Sequence, residues 1–201
     1  MKKKIDDFIL SNNLDTLFTR QDHYLYYFAA KNDVVKLLSF LKEDEDLRFT
    51  ILTDLFAVDF PERKERFEIV YNLLSLKNNY RLIIKTSTCD REHIASVSSI
   101  FSGACWYERE VFDMFGVKFD GNPDLRRILT DYGFKGHPLR KDFPVSGYTQ
   151  VRYDEKLEKV IKEPVKLQQA FREFDFLTPW QGPKYAMPQI LPGDEKANTS
   201  K

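Results

Sequence analysis

The feature that most constrains the fold is the uneven distribution of glycine and proline. Seven of the 8 glycines and eight of the 9 prolines follow Phe115 in this chain of 201 residues. Proline removes a backbone hydrogen-bond donor, and glycine raises the entropic cost of ordering the chain. The sequence therefore predicts a globular domain in residues 1–116. It predicts a long extended segment in residues 117–201, whose tail (194–201) we expect to be disordered.

Composition excludes several classes of protein. The 31 basic residues balance the 31 acidic ones, which argues against a general nucleic-acid binder. The hydrophobic fraction of 42% excludes wholesale disorder. Two cysteines, Cys89 and Cys105, are too few for a four-cysteine zinc site or iron–sulfur cluster. No apolar run approaches the ~18 residues that span a bilayer, and Asp6 and Asp7 interrupt any signal peptide.

Hydrophobic periodicity before residue 117 predicts an α+β domain. The aromatic run at 24–28 is typical of a strand, and the apolar spacing after Asp33 is typical of a helix. Alternating apolar residues on both sides of a turn at 77–79 predict a β-hairpin. Residues 94–115 are predicted to be helical, in two pieces divided at Gly103. We expect a mostly antiparallel sheet with helices packed on one face.

The densest charge lies on the last predicted helix. Glu108, Arg109, Glu110 and Asp113 occupy the polar side of that helix. One interpretation is a solvent-exposed face with an Arg109–Asp113 pair at i, i+4, and another is a set of charges that contact a partner. A metal site formed by Glu108, Glu110 and His137 is disfavoured, because residues i and i+2 point about 200° apart on a helix.

A basic stretch follows between residues 126 and 141, with five lysines or arginines and one acid. Its charges alternate with apolar residues, a pattern that favours docking on a partner over a free surface loop. Arginine side chains also suit bidentate pairing with carboxylates. We therefore predict that the helix charges share a partner interface with six residues of this region: Arg126, Arg127, His137, Arg140, Lys141 and Asp142.

Three linked motifs resemble one protein family. They are WYEREVFDMFG at 106–116, LRRIL at 125–129 and GHPLRKDFP at 136–144. Together they are similar to the 30 kDa subunit of respiratory complex I, the proton-pumping NADH:quinone oxidoreductase. This C subunit is called subunit 9 when it is encoded in mitochondria. Members of that family usually carry histidine where this chain has Asn122, which argues against essential acid–base chemistry at that position.

The resemblance implies a subunit of an enzyme without an active site of its own. FMN, iron–sulfur clusters, NADH and quinone are bound by other subunits, so we assign no catalytic, cofactor-binding or metal-binding residue. The implied partner is the quinone-site large subunit, the 49 kDa type, along which the C-terminal segment lies in the hydrophilic arm. The implied location is peripheral, on the cytoplasmic face of a bacterial inner membrane or the matrix face of the mitochondrial one.

Three other functions stay open at this point. His137 with Glu110 or Asp113 could transfer protons in a catalytic module. The basic stretch with its aromatic residues could bind nucleic acid, although acids in the same region argue against this. The chain could also be the equivalent subunit of a membrane-bound hydrogenase or dehydrogenase related to complex I, although its motifs are more similar to complex I itself.

Overall fold

The computed structural model describes residues 1–21, 24–167 and 169. The chain divides into two compact units, Met1–Tyr148 and Thr149–Lys201. The described part of the first unit has the predicted α+β architecture. Its elements in chain order are α1 (Lys2–Ser11), β1 (Thr16–Gln21), β2 (Tyr24–Ala29), α2 (Val34–Glu43), β3 (Ile51–Asp59), β4 (Phe67–Ser75), β5 (Tyr80–Thr88), β6 (His93–Ala95), α3 (Ala104–Phe115) and β7 (Lys118–Asp120).

Five strands form the main sheet, in the order β1-β2-β5-β4-β3. All neighbouring pairs are antiparallel except β2 and β5, which are parallel. Leu55, Tyr71, Ile84 and Tyr27 lie in register across four strands, and each is at most 2% exposed. Because side chains alternate along a strand, this row marks one apolar face of the sheet. Residues of all three helices join it in one core: Ile5, Val34, Leu37, Leu38, Leu41, Val111, Met114 and Phe115.

The predicted helix before Gly103 is wrong. Residues His93–Ala95 form β6, which pairs in parallel with β7, and a turn-rich stretch leads from there to α3. Serines favour such local structure, because their hydroxyls compete with helical hydrogen bonds. Here the Ser96 hydroxyl donates to the carboxylate of Glu108. The predictions also missed α1 and β1.

Residues 122–148, which we call the strap, run from the end of β7 to the end of the first unit without a helix or strand. The strap returns to α3, where the Leu139 N–H donates to the Met114 carbonyl (3.1 Å). The docking role predicted for the segment from residue 117 onward stays a prediction.

The second unit contains a β-hairpin made of β8 (Thr149–Asp154) and β9 (Lys159–Pro164). Val151, Tyr153 and Val160 share one of its faces, and each is more than half exposed. The predicted disordered tail (194–201) lies outside the described residues. In the described ranges, none of the helices has the length and apolarity needed to cross a bilayer.

The difference in burial predicts that the same substitution, leucine to alanine, changes the free energy of unfolding by different amounts at two helix positions. Leu38→Ala should lower the free energy of unfolding by about 2–5 kcal/mol, because Leu38 is fully buried and its removal leaves a cavity. Leu10→Ala should change it by no more than about 0.5 kcal/mol, because Leu10 is 74% exposed. Urea unfolding of the purified variants measures both, and equal losses would contradict the assigned core.

Candidate partner-docking site

The polar side of α3 faces protein instead of solvent. Glu108, Arg109 and Asp113 are buried, and of the four charged residues predicted on this helix only Glu110 is exposed. α3 ends at Phe115 and is capped by Gly116, whose backbone is left-handed (φ 80°) and whose N–H donates to the Phe112 carbonyl. The interpretation of the polar side as a solvent-exposed face is therefore wrong for three of the four charges. Protein covers the polar side of α3 as well as its apolar side.

Asp113 holds the middle of the strap. One carboxylate oxygen, Oδ2, accepts the backbone N–H groups of Ile128, Leu129 and Thr130 at 2.8–3.0 Å. The other, Oδ1, accepts the Thr130 hydroxyl (2.6 Å) and the Arg127 guanidinium (2.8 Å). Burial alone would raise the pKa of this carboxyl, but the hydrogen bonds outweigh it and hold the pKa well below its ordinary range. Asp113 is therefore a charged carboxylate with five donors.

Arg109 binds the same stretch through backbone carbonyls. Its Nε and Nη2 atoms donate to the carbonyls of Arg126 (2.5 Å) and Arg127 (2.7 Å). Its Nη1 atom lies 3.8 Å from the Asp124 carboxylate. The predicted Arg109–Asp113 pair is not formed, because each of the two side chains reaches across to the strap.

Glu108 joins the start of the strap to the chain after β6. It accepts the Val97 N–H (2.7 Å), the Ser96 hydroxyl (2.6 Å) and the Asn122 side-chain amide (2.7 Å). Burial raises the pKa of Glu108, and these hydrogen bonds oppose the rise without cancelling it. Asn122 also accepts the Asp124 N–H (2.8 Å), so the amide at this position has a structural role.

Two side chains of the strap, those of His137 and Arg140, bind to the C-terminal end of α3. His137 Nδ1 lies 2.9 Å from the Asp113 carbonyl, and Arg140 Nε donates to the Phe115 carbonyl (2.6 Å). Free carbonyls at a helix end favour such donors. Arg140 also pairs with Asp90 (2.5 Å). A Cβ added to Gly116 would lie 2.6 Å from both the His137 and the Arg140 side chains, so glycine is needed for this approach.

This geometry gives the catalytic alternative no support. His137 contacts the backbone carbonyl of Asp113, while the Asp113 carboxylate is occupied by the strap. Burial and the charges of Arg140 and Arg127 lower the pKa of His137, which favours the neutral form of the ring. The geometry also does not bring the three candidate metal ligands, Glu108, Glu110 and His137, together. Glu108 is buried and Glu110 exposed, and within the described ranges no group of three histidine, cysteine or acidic residues could hold a metal ion.

An arginine between two carboxylates fixes the far part of the strap. Arg66 binds Asp59 at 2.6 and 2.8 Å and Asp142 at 2.9 and 3.0 Å. The Lys141 N–H also donates to Asp59 (2.7 Å), while the Lys141 side chain is exposed. The pKa values of both carboxyls are lowered, chiefly by their hydrogen bonds to Arg66.

The ten residues predicted for a partner interface fall into two groups. Seven make contacts within the first unit: Glu108, Arg109, Asp113, Arg127, His137, Arg140 and Asp142. The other three, Glu110, Arg126 and Lys141, are exposed, although Arg126 pairs with its neighbour Asp124 (2.8 Å).

Exposed apolar side chains of the strap are the residues that sequence reasoning largely missed. The most exposed are Leu129 (63%), Tyr132 (83%), Leu139, Val145 and Tyr148. Leu129 and Leu139 belong to the alternating pattern that was expected to bury apolar area on a partner, whereas Tyr132, Val145 and Tyr148 were not part of that prediction. The signal that could have found the others is an apolar residue within a glycine- and proline-rich loop, where no regular element of the chain covers it.

Comparisons with known proteins agree on one family. The family described as "Respiratory-chain NADH dehydrogenase, 30 Kd subunit" matches residues 28–149, a range that includes α3 and the strap. The C subunit of the NADH-quinone oxidoreductase of Rickettsia felis is 62% identical over 174 residues, which cover 87% of this chain and 82% of the relative. The same subunits of Rickettsia typhi (60% over 187 residues, 93% and 92%) and Cereibacter sphaeroides (55% over 171 residues, 85% and 84%) are similarly close.

The Asp113 contacts predict a pH-dependent cost of removing its charge. Asp113→Asn should lower the free energy of unfolding at pH 7 by about 3 kcal/mol, because an amide cannot replace five hydrogen bonds to a buried carboxylate. Because folding lowers the pKa of this carboxyl, its charge stabilises the folded state at pH values above the unfolded pKa, 3.8. That stabilisation is lost as the pH falls below 3.8. The difference from the wild-type chain should therefore shrink near pH 3 in urea unfolding. Glu110→Gln on the same helix is the control, and an equal loss there would contradict this account.

The close approach at Gly116 predicts a second effect. Gly116→Ala should displace His137 and Arg140 and cost at least about 1–2 kcal/mol, because alanine disfavours a left-handed backbone and its Cβ has no room. Hydrogen exchange should then speed up at the Leu139 amide. Gly133→Ala is the matched control, since nothing lies within 4 Å of its Cβ position. Unchanged exchange in Gly116→Ala would show that the helix end does not hold the strap.

Proposed function

Because the chain belongs to the family of the respiratory-chain NADH dehydrogenase 30 kDa subunit, we propose that it is a structural subunit of the hydrophilic arm of NADH:quinone oxidoreductase. The chain is thus one subunit of an enzyme complex. We propose that it packs against the quinone-site large subunit, the 49 kDa type, and holds the arm together during electron transfer from NADH to quinone and proton translocation.

The strap combines a fixed backbone with exposed apolar side chains, and this combination carries the proposal. Asp113 and Arg109 bind consecutive backbone groups of residues 126–130, so the loop is ordered before any partner arrives. At the same time Leu129 and Tyr132 project without cover from the described part of the first unit. Ordering a loop in advance lowers the entropic cost of binding, and apolar residues supply the area that an interface buries.

The charged residues have two roles, one in folding and one in docking. The seven that make internal contacts shape the strap, and the exposed Glu110, Arg126 and Lys141 contact the partner. Because Arg126 already pairs with Asp124, its charge is partly neutralised before docking. Apolar side chains therefore contribute most of the affinity, and the exposed charges contribute mainly to orientation.

We further propose that FMN, the iron–sulfur clusters, NADH and quinone are bound by other subunits of the complex. The relatives support this assignment, because each is named as one subunit, C, of a larger oxidoreductase. The related hydrogenase alternative is disfavoured, because the relatives from Rickettsia and Cereibacter are named as subunits of NADH-quinone oxidoreductase. Membrane association is then indirect, on the cytoplasmic or matrix side.

Two exposed residues of the strap test the docking role. The double variant Leu129→Glu, Tyr132→Glu should reduce co-purification of the large subunit with the tagged chain by about tenfold or more, because charges replace buried apolar contacts. Its thermal midpoint should stay within a few degrees of the wild type, since neither side chain is in the core. The measurement is a pull-down from mild-detergent membranes, with subunits identified by mass and NADH:quinone activity assayed.

A matched pair elsewhere controls for added charge. Leu76→Glu with Tyr80→Glu places the same substitutions at exposed positions around the β4–β5 turn. Normal assembly of the Leu129/Tyr132 variant, or an equal loss in the control, would refute docking through the strap.

A further inference from the structure

One stripe of α3 stays exposed after the core and the strap have covered the rest of the helix. Trp106 and Glu110 lie one turn apart on this α3 stripe, and the Trp106 side chain is 62% exposed. The Arg109 guanidinium lies 5.5 Å from the centre of the Trp106 ring, in a cation–π contact. Because Arg109 is itself fixed by two backbone carbonyls of the strap, this contact holds the indole in place. The stripe thus presents an ordered aromatic side chain beside a carboxylate.

A cavity of about 210 Å³ opens next to Glu110. Its apolar lining comes from β3, from Val111 and Met114 of α3, and from Leu139 of the strap. Leu139 is 52% exposed, so the rim of the cavity is accessible although its floor belongs to the core. A cavity of roughly 150 Å³ accepts a benzene-sized group, and this one therefore has room for a bulky apolar side chain.

The charged residues that line the cavity are both acidic. They are Glu110 and Asp54, and no lysine or arginine of the described residues lines it. Among those residues, neither of the two carboxylates has a hydrogen-bond or ion-pair partner. The other two carboxylates of α3 differ, because Glu108 and Asp113 each accept several donors. Two such carboxylates at one cavity favour a cation that comes from another chain.

We propose that the α3 stripe and its cavity bind a segment of a neighbouring subunit that carries a bulky apolar residue beside a lysine or arginine. The apolar side chain enters the cavity, and the cation pairs with Glu110 while Asp54 adds to the attraction. Trp106 covers the contact from the side, as the aromatic residues at the centre of interfaces do. The inference rests on the proposed function, because it names the chemistry of the neighbour on which this unit docks.

Photo-crosslinking in the assembled, detergent-purified enzyme identifies the occupant. Benzoylphenylalanine replaces Trp106, which lies beside the cavity without filling it, and in a control it replaces Leu10 on α1, which is 74% exposed. The Trp106 position should give an adduct with one other subunit. Peptide mapping should find a bulky apolar residue beside a lysine or arginine at the site of the adduct. The Leu10 control should give no adduct with that segment.

A charge reversal at Glu110 tests the ion pair. Glu110→Lys should reduce co-purification of the cross-linked subunit with the tagged chain by about tenfold, because it places like charges opposite each other. Glu43→Lys is the matched control, since Glu43 is an exposed glutamate on α2 that does not line the cavity. It should leave co-purification unchanged. Both variants should keep the thermal midpoint of the purified chain within a few degrees of the wild type.

A charge swap separates a direct ion pair from a general effect of charge. Changing the mapped lysine or arginine of the partner to glutamate should by itself reduce co-purification as Glu110→Lys does. Combined with Glu110→Lys, it should restore about half or more of the wild-type amount, because opposite charges then face each other again.

Four results would overturn the inference: no Trp106 adduct above the Leu10 level, an adduct with a second copy of this chain, a mapped segment without a lysine or arginine, or a charge swap that restores nothing. If Glu110→Lys unfolds the chain, Glu110→Gln takes its place with an expected loss of about threefold, and an unchanged amount would overturn the inference as well.

The strap test is independent of this one. A mapped Trp106 adduct and a successful swap, together with normal assembly of the Leu129/Tyr132 variant, would remove only the proposed docking through the strap. A failed swap together with lost assembly of the Leu129/Tyr132 variant would remove only the role of the α3 stripe.

Discussion

The structure depends on a buried carboxylate that replaces secondary structure. A segment rich in glycine and proline, such as the strap, cannot satisfy its backbone with long helices or strands, yet buried N–H and C=O groups need partners. Asp113 meets this need by accepting three consecutive N–H groups of the strap, and Arg109 donates to two of its carbonyls. The side chains of α3 thereby act toward residues 126–130 as a neighbouring strand would.

Much of the fold could be predicted where one face of an element is buried. The apolar spacing of α2 and the alternation in β4 and β5 were sufficient to identify these elements as a helix and two strands, because helix and strand periods differ. The parallel pairing of β2 with β5 could not be predicted, since it joins Tyr26 with Ile83 across three intervening elements. The helix expected before Gly103 failed because Ser96 binds Glu108, a contact that only the folded chain creates.

The sequence identified the charged residues of α3 and the strap as a group, but not the direction in which their side chains point. Val111 and Met114 mark one side of α3 as core, and periodicity then assigns the charged side to solvent. The periodicity of α3 cannot show that the strap, which lies further along the chain, covers the polar side of the helix. Glu108 and Asp113 show how the contacts on the polar side of α3 affect the pKa of a buried carboxyl group. Both carboxylates are buried on the same helix, yet their pKa values move in opposite directions, because Asp113 has a guanidinium among its five donors and Glu108 has three neutral donors.

The way the strap closes over α3 has a consequence for the order of folding during synthesis. The ribosome releases α3 before residues 124–130, so at that moment Arg109 and Asp113 have no strap to bind. Water must solvate both charges until the later residues emerge, which opposes burial of the helix against the sheet. The native contacts between α3 and the strap therefore cannot be complete until residue 130 has left the tunnel.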